Sequence, residues 1–208
     1  MGAILEAYSV HPFGIQPLER RFVDAAVEES DGRKLTLRFA CDEPALEIAS
    51  QWHARPGPGP VHHSMYVRNR STQSVTIGEQ PTFDLDLTGA AALWCFHSDG
   101  RTPDPVGVYR RPLTTDQAGR RYTVRTAPTG EFIPYVVLEA NQRHGVYVGL
   151  EWSFCRIEAV TLSSGSSPTV RVRGGNIADV RAELAPGEAF QVRPGFLGAY
   201  GGADDPDS

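Results

Sequence analysis

The sequence predicts an all-β protein built from antiparallel sheets, and three observations carry that reading. Alternating or apolar runs of roughly four to eight residues recur along the chain, bounded by clusters of Gly, Pro, Asn, Asp and Ser. The 208 residues include 21 Gly and 16 Pro but only 2 Met, a balance that favours many turns over long helices. The third is the stretch Phe132 to Ile157, F-I-P-Y-V-V-L-E-A-N-Q-R-H-G-V-Y-V-G-L-E-W-S-F-C-R-I. Two apolar, β-branched and aromatic runs there flank a polar, Gly-containing turn at Asn141 to Gly145, the pattern of a hairpin with buried arms.

Taken in order, positions 4 to 27 follow neither a helical nor a strand period and read as loop with one or two short strands. Asp31-Gly32 is a strong turn signal, and Lys34 to Ala40 then alternates, with Leu35, Leu37 and Phe39 on one face. Ala45 to Trp52 alternates too, although its Glu and Ala content lets a short helix compete. R-P-G-P-G-P at 55–60 holds neither ladder nor helix and is read as an internal loop. Val61 to Arg70 and Ser74 to Ile77 form the next expected pair, joined by the polar turn Asn69 to Gln73. Thr82 to Thr88, Ala91 to Phe96, Gly107 to Leu113 and Tyr122 to Thr126 precede the hairpin. Glu158 to Leu162, Val170 to Arg173, Asp179 to Leu184 and Ala189 to Val192 follow it. Short strands at this spacing indicate one sandwich domain over 1–208, with a polar tail from about 201.

A chain of this length buries roughly 70% of its unfolded surface, enough for a core without metals or crosslinks. The net charge of −5 arises from 20 basic and 25 acidic residues with no basic stripe, which argues against a nucleic-acid partner. Cys41, Cys95 and Cys155 are widely spaced and outside any C-x-x-C, so they read as reduced core thiols rather than a disulfide framework or zinc site. A basic segment leading into an apolar one is missing from the N-terminal residues, and no apolar run reaches membrane-spanning length. The expectation is a cytoplasmic protein without a membrane partner.

Motif chemistry is sparse. G-x-S-x-G, G-x-G-x-x-G and the G-K-[ST] phosphate loop do not occur, so no cofactor and no elbow nucleophile are expected. Asp84 and Asp86 share one strand face and read as a solvated face, because two carboxylates on one strand rarely straddle a sugar. His62 and His63 must point to opposite faces and cannot chelate one metal together. His97 with Asp99 forms a better-placed ligand or proton-transfer pair, but without a third partner no metal site is expected. Trp52, Trp94 and Trp152 could stack on sugar faces, since a flat aromatic complements the C–H face of a pyranose. Core packing is the competing reading for each. Trp152 is the preferred sugar contact, and the candidate carbohydrate-binding set is Trp152, Trp94, His97 and Glu151.

Four pieces in order carry a family resemblance: A-L-W-C-F-H, F-I-P-Y-V-V-L-E, H-G-V-Y-V-G-L-E-W-S and A-P-G-E-A-F-Q-V-R-P-G-F-L. Over residues 60 to 205 the chain resembles the N-terminal β-domain of glycoside hydrolase family 36 α-galactosidases. In that family the W-S pair is commonly followed by Gly and an aromatic, whereas Phe154 and Cys155 follow here. The resemblance implies a galactose mutarotase-like β-supersandwich, accessory to catalysis, that packs on a (β/α)8 barrel in the same or another chain, with carbohydrate and further copies of the protein as partners. The family's catalytic aspartates belong to that barrel, and no catalytic residue is matched in this chain. Two alternatives are a carbohydrate-binding module and a stand-alone sugar enzyme of mutarotase or epimerase type, in which Glu139 or Glu151 would act with His97 or His144.

Overall fold

The computed structural model describes residues 20–78, 80–97, 107–113, 118–126, 132–141, 144–152, 154–162, 168–176 and 181–201, with side chains at 97, 141 and 176 left aside. Fifteen strands are found among the described residues: β1 (Arg21–Ser30), β2 (Gly32–Cys41), β3 (Leu46–Ala54), β4 (Val61–Asn69), β5 (Val75–Ile77), β6 (Phe83–Thr88), β7 (Ala92–His97), β8 (Val108–Pro112), β9 (Arg121–Arg125), β10 (Phe132–Asn141), β11 (His144–Leu150), β12 (Cys155–Thr161), β13 (Thr169–Asn176), β14 (Ala182–Leu184) and β15 (Ala189–Gly201).

Nine of them form one antiparallel sheet in the order β1-β2-β3-β4-β15-β11-β10-β7-β8. A four-stranded sheet, β6-β13-β12-β9, and a two-stranded one, β14-β5, complete the structure. Apolar residues on the inner face of the large sheet, Leu93, Val136, Leu138 and Val148, pack against Phe83, Ile157, Val170 and Val172 of the four-stranded sheet. A second cluster joins Leu46, Ile48, Met65 and Val67 to Ile77 and Leu184 of the small sheet. Each such fully buried side chain contributes about 1.5–3 kcal/mol relative to exposure, so the two covering sheets hold the large one closed on its inner side. All three cysteines are buried free thiols, as their spacing suggests.

A polar network crosses this otherwise apolar layer. Trp52 Nε1 donates to Ser50 Oγ at 3.1 Å, Ser50 Oγ lies 3.0 Å from His63 Nε2, and His63 Nδ1 lies 2.8 Å from the Thr82 carbonyl. A carbonyl only accepts, so His63 carries its proton on Nδ1 and accepts a hydrogen bond from the Ser50 hydroxyl at Nε2. The Trp52 ring leans on the imidazole at a centroid distance of 4.2 Å. Burial pulls His63 down to about 4, only partly opposed by the Thr82 bond, so it is neutral at physiological pH.

Two expectations need correction and one is resolved. β1 is one ten-residue strand where loop and short strands were expected. It is exposed on nearly every residue and bulged between Phe22 and Asp24, so no buried face imposes a period on its sequence. Positions 4 to 19 lie outside the described residues. The alternation read over Ala45 to Trp52 is a strand, as expected, and the competing helix does not form because β3 pairs along its length with both β2 and β4. The strand at Val75–Ile77 does not return to β4 but pairs with β14. The cause is Asn69, fully buried at the end of β4. Its Nδ2 donates to the carbonyls of Gln73 and Leu184, and its Oδ1 accepts from Ser71, so the chain is steered out of the large sheet. The loop at 55–60 joins β3 and β4, neighbours in one sheet, and is largely exposed.

Candidate functional site

Opposite the two cores, the large sheet presents an outer face whose composition follows from register. Arg110 of β8 is paired with Trp94 of β7, Trp94 with Val137 of β10, Val137 with Tyr147 of β11, and Tyr147 with Gly198 of β15. Because successive side chains alternate, Phe96, Tyr135, Glu139, Phe196 and Tyr200 share this face. Tyr135 lies 5.2 Å from Phe96, 5.9 Å from Tyr147 and 6.2 Å from Phe196 between ring centroids.

Glycines let these rings lie down on the sheet. A Cβ at Gly149 would come within 2.2 Å of the Phe196 ring, one at Gly198 within 2.3 Å of Tyr147, and one at Gly145 within 2.5 Å of Tyr200. Each aromatic therefore covers the glycine directly across from it, the arrangement in which a cross-strand ring shelters backbone that has no side chain. The result is an aromatic floor whose neighbouring rings are tilted by 30° to 58° to one another.

At one end the floor dips into an open cavity of about 480 Å³ lined by Trp94, Phe96, Arg110, Val137, Glu139 and Tyr200. Glu139 is the electrostatic centre. Its carboxylate is 7% exposed, accepts the Trp94 indole N–H at 2.6 Å, and receives Arg110 through Nε and Nη2 at 3.1 Å each. Ala92, opposite Glu139 on β7, leaves room for the guanidinium to reach across that strand. Arg110 also lies over the Trp94 ring, 5.7 Å from its centroid. Its hydrogen bonds hold the Glu139 carboxyl below the usual carboxylate range. Tyr200 is pushed up by burial and by the Glu139 charge, so its hydroxyl stays protonated.

Farther along the face, His62 Nδ1 meets Glu151 Oε1 at 2.6 Å, both side chains about one-third exposed, with Phe196 beside the imidazole at 6.4 Å. This face can stack the apolar side of a flat polyhydroxylated ligand and offer it charged hydrogen-bonding groups at either end. Among the described residues no three or more His, Cys, Asp or Glu side chains converge to hold a metal.

The expected site residues separate. Trp94 and Glu151 do lie on the outer face. Trp152 packs against the main core, and its buried indole N–H has no partner among the described residues. Trp52 belongs to the inner network. The side chain of His97, and Asp99, lie outside the described residues, and His144 stands exposed at the start of β11. His62 and His63 do face opposite sides. Asp84 and Asp86 lie on the outside of the four-stranded sheet, both within ion-pair reach of Arg171. Arg110, His62, Tyr135, Tyr147, Phe196 and Tyr200 were not anticipated. The signal that marks two of them, Phe196 and Tyr200, is the Gly-aromatic alternation G-F-L-G-A-Y-G over 195–201.

The fold with this aromatic outer face defines a β-supersandwich module. Neither a protein-family model nor a curated protein matches the sequence. Among solved structures, 94% of the chain superposes on the GH36 α-galactosidase AgaA from Geobacillus stearothermophilus with a TM-score of 0.72 at 18% identity, covering 30% of that protein. The α-galactosidase from Lactobacillus brevis gives 0.74 at 17% identity, again over 94% of this chain and 29% of the other. A galactose mutarotase related enzyme from Lactobacillus acidophilus gives 0.50 at 13%, over 88% of this chain and 73% of that one. The chain thus has the fold of the β-domain of these α-galactosidases, related to that of the mutarotase-like protein, and spans less than a third of the α-galactosidases' length.

Proposed function

We propose that this chain is the accessory, non-catalytic β-supersandwich module of an α-galactosidase-like glycoside hydrolase, packing on a catalytic barrel and contacting carbohydrate through its aromatic outer face. The observation that carries this reading is the superposition of 94% of the chain on 30% of an α-galactosidase. The chemistry of the outer face supports it. Glu139 is neutralised by Arg110, and Glu151 is bonded to His62, so neither stands as an unengaged acid beside the aromatic floor. In the test, the isolated chain is expected to release no aryl group from aryl α-galactosides, and Trp94→Phe is expected to remove a fluorescence change on titration with galactosides. Hydrolysis lost on substituting a single carboxylate would overturn the accessory reading.

A second reading has one specific observation in its favour. The His62–Glu151 pair brings an imidazole and a carboxylate together on an open sheet face, the two groups that sugar anomerisation requires. Polarimetry of freshly dissolved α-galactose decides it: anomerisation no faster than in buffer rejects a mutarotase-type activity.

A further inference from the structure

Among the described residues, the side of the sandwich where edge strand β8 of the large sheet faces edge strand β9 of the smaller one holds a second cavity of about 280 Å³. Its chemistry differs from that of the aromatic floor. Arg111 of β8 and Arg120, just before β9, rim it, together with the phenols of Tyr109 and Tyr122. The side chain of Arg121, next to the core-packed Tyr122 on β9, faces the other way. Among the described residues neither Arg111 nor Arg120 is in an ion pair, whereas Arg110, beside Arg111 but on the other face of β8, is committed to Glu139. Two like charges at one cavity repel each other, and a bound anion would relieve that repulsion. The protein as a whole carries a net charge of −5, so the concentration of guanidinium groups here is local and not a reflection of general basicity.

Two features preorganise the cleft. Arg120 rests on the Tyr122 ring at 5.1 Å, which restrains one guanidinium at the rim. Tyr109 and Phe132 form an aromatic wall with centroids 6.3 Å apart. The floor is the buried Cys95, close enough to Arg111 that the guanidinium charge opposes the upward push of burial on the thiol. A guanidinium fork matches the paired oxygens of a carboxylate or phosphate, and an aromatic wall suits the apolar face of a ring.

We propose that the β8–β9 cleft binds a small ring compound bearing an oxyanion, of monosaccharide size, the anionic group held by Arg111 and Arg120. The site is separate from the aromatic floor, so the proposal neither needs nor tests the accessory role of the module.

The experiment is titration calorimetry on the full chain with four probes: glucose 6-phosphate, galacturonate, galactose and inorganic phosphate. Saturable binding of glucose 6-phosphate or galacturonate is expected, and the tighter of the two identifies a phosphate or a carboxylate as the natural anion. Binding should weaken with salt, because the arginines are exposed. The double variant Arg111→Met, Arg120→Met should lose about tenfold or more in affinity while its circular dichroism is unchanged. Should that variant fail to fold, Arg120→Gln alone must still show the loss. No saturable binding of either sugar anion up to about 10 mM would overturn the proposal, since pockets of this size that recognise a ligand bind it more tightly. Equal binding of galactose or of inorganic phosphate, or variants that bind as well as the parent, would overturn it too.

Discussion

Lowering the pH should unfold this protein earlier than its carboxylates alone would require, and His63 is the reason. In the unfolded chain this imidazole takes up a proton at its ordinary value of 6.5, whereas in the fold burial holds it down to about 4. Between those values the unfolded state binds a proton that the folded state refuses, so stability falls as the pH falls through that window and levels off below it. Integrated from about pH 7 to about pH 4.5, the single group removes about 2 kcal/mol. The geometry gives the same sign. A proton on Nε2 would face the Ser50 hydroxyl, which already accepts from Trp52 Nε1, and would place a charge in the core. The assay is urea denaturation at both pH values for the parent and His63→Gln. The variant is expected to be less stable at neutral pH but to lose about 2 kcal/mol less than the parent on acidification. Nuclear magnetic resonance of the His63 ring provides a check independent of the variant, since its shift should not move between about pH 7 and pH 5. Equal acid sensitivity in both proteins, or a ring that titrates near 6.5, refutes the reasoning.

Two further outcomes follow from backbone geometry. Gly149→Ala forces the Phe196 ring off the sheet, since the new Cβ would lie 2.2 Å from it, and should cost about 1–3 kcal/mol in urea melts. In a Phe196→Ala background the same substitution should cost far less, and additive losses would refute the ring-over-glycine pairing. Phe154 has a φ of 63°, in the left-handed region that penalises side chains, yet its ring is 55% exposed and gains little from burial. Phe154→Gly should therefore raise stability by about 1 kcal/mol, and a loss in thermal melts would show that the ring makes contacts that offset the strain.

Local features of the fold were legible in the sequence, and long-range ones were not. The hairpin of β10 and β11 shows because its alternation and its turn lie within a single stretch, and the split of His62 from His63 needs only the two-residue period of a strand. The excursion of Val75–Ile77 to a separate sheet depends on a hydrogen bond from Asn69 to the Leu184 carbonyl, 115 positions away, which no local pattern encodes. The Glu139 site was half visible. The carboxylate and Trp94 sit in conspicuous apolar runs, but Arg110 joins them only because β7 lies between β10 and β8 and offers Ala92 as a gap. Trp152 misled for the opposite reason: a tryptophan at a strand end looks the same in sequence whether it faces solvent or core.

The place of β15 bears on how the molecule assembles. This strand lies between β4 and β11, so the unit β1–β4 and the unit β11-β10-β7-β8 meet in the large sheet only through it. Until residues 189–201 have left the ribosome, both units display an unpaired edge, and the shortcut of joining β4 straight to β11 is open to them. The alternation of ring and glycine along Phe196, Gly198 and Tyr200 acts as a key against that error. Shifted by two positions on β11, a ring would land on a ring instead of a glycine, and β4 carries no such sequence with which to counterfeit the fit. A chain truncated before residue 189 is therefore expected to leave the facing edges of β4 and β11 unpaired.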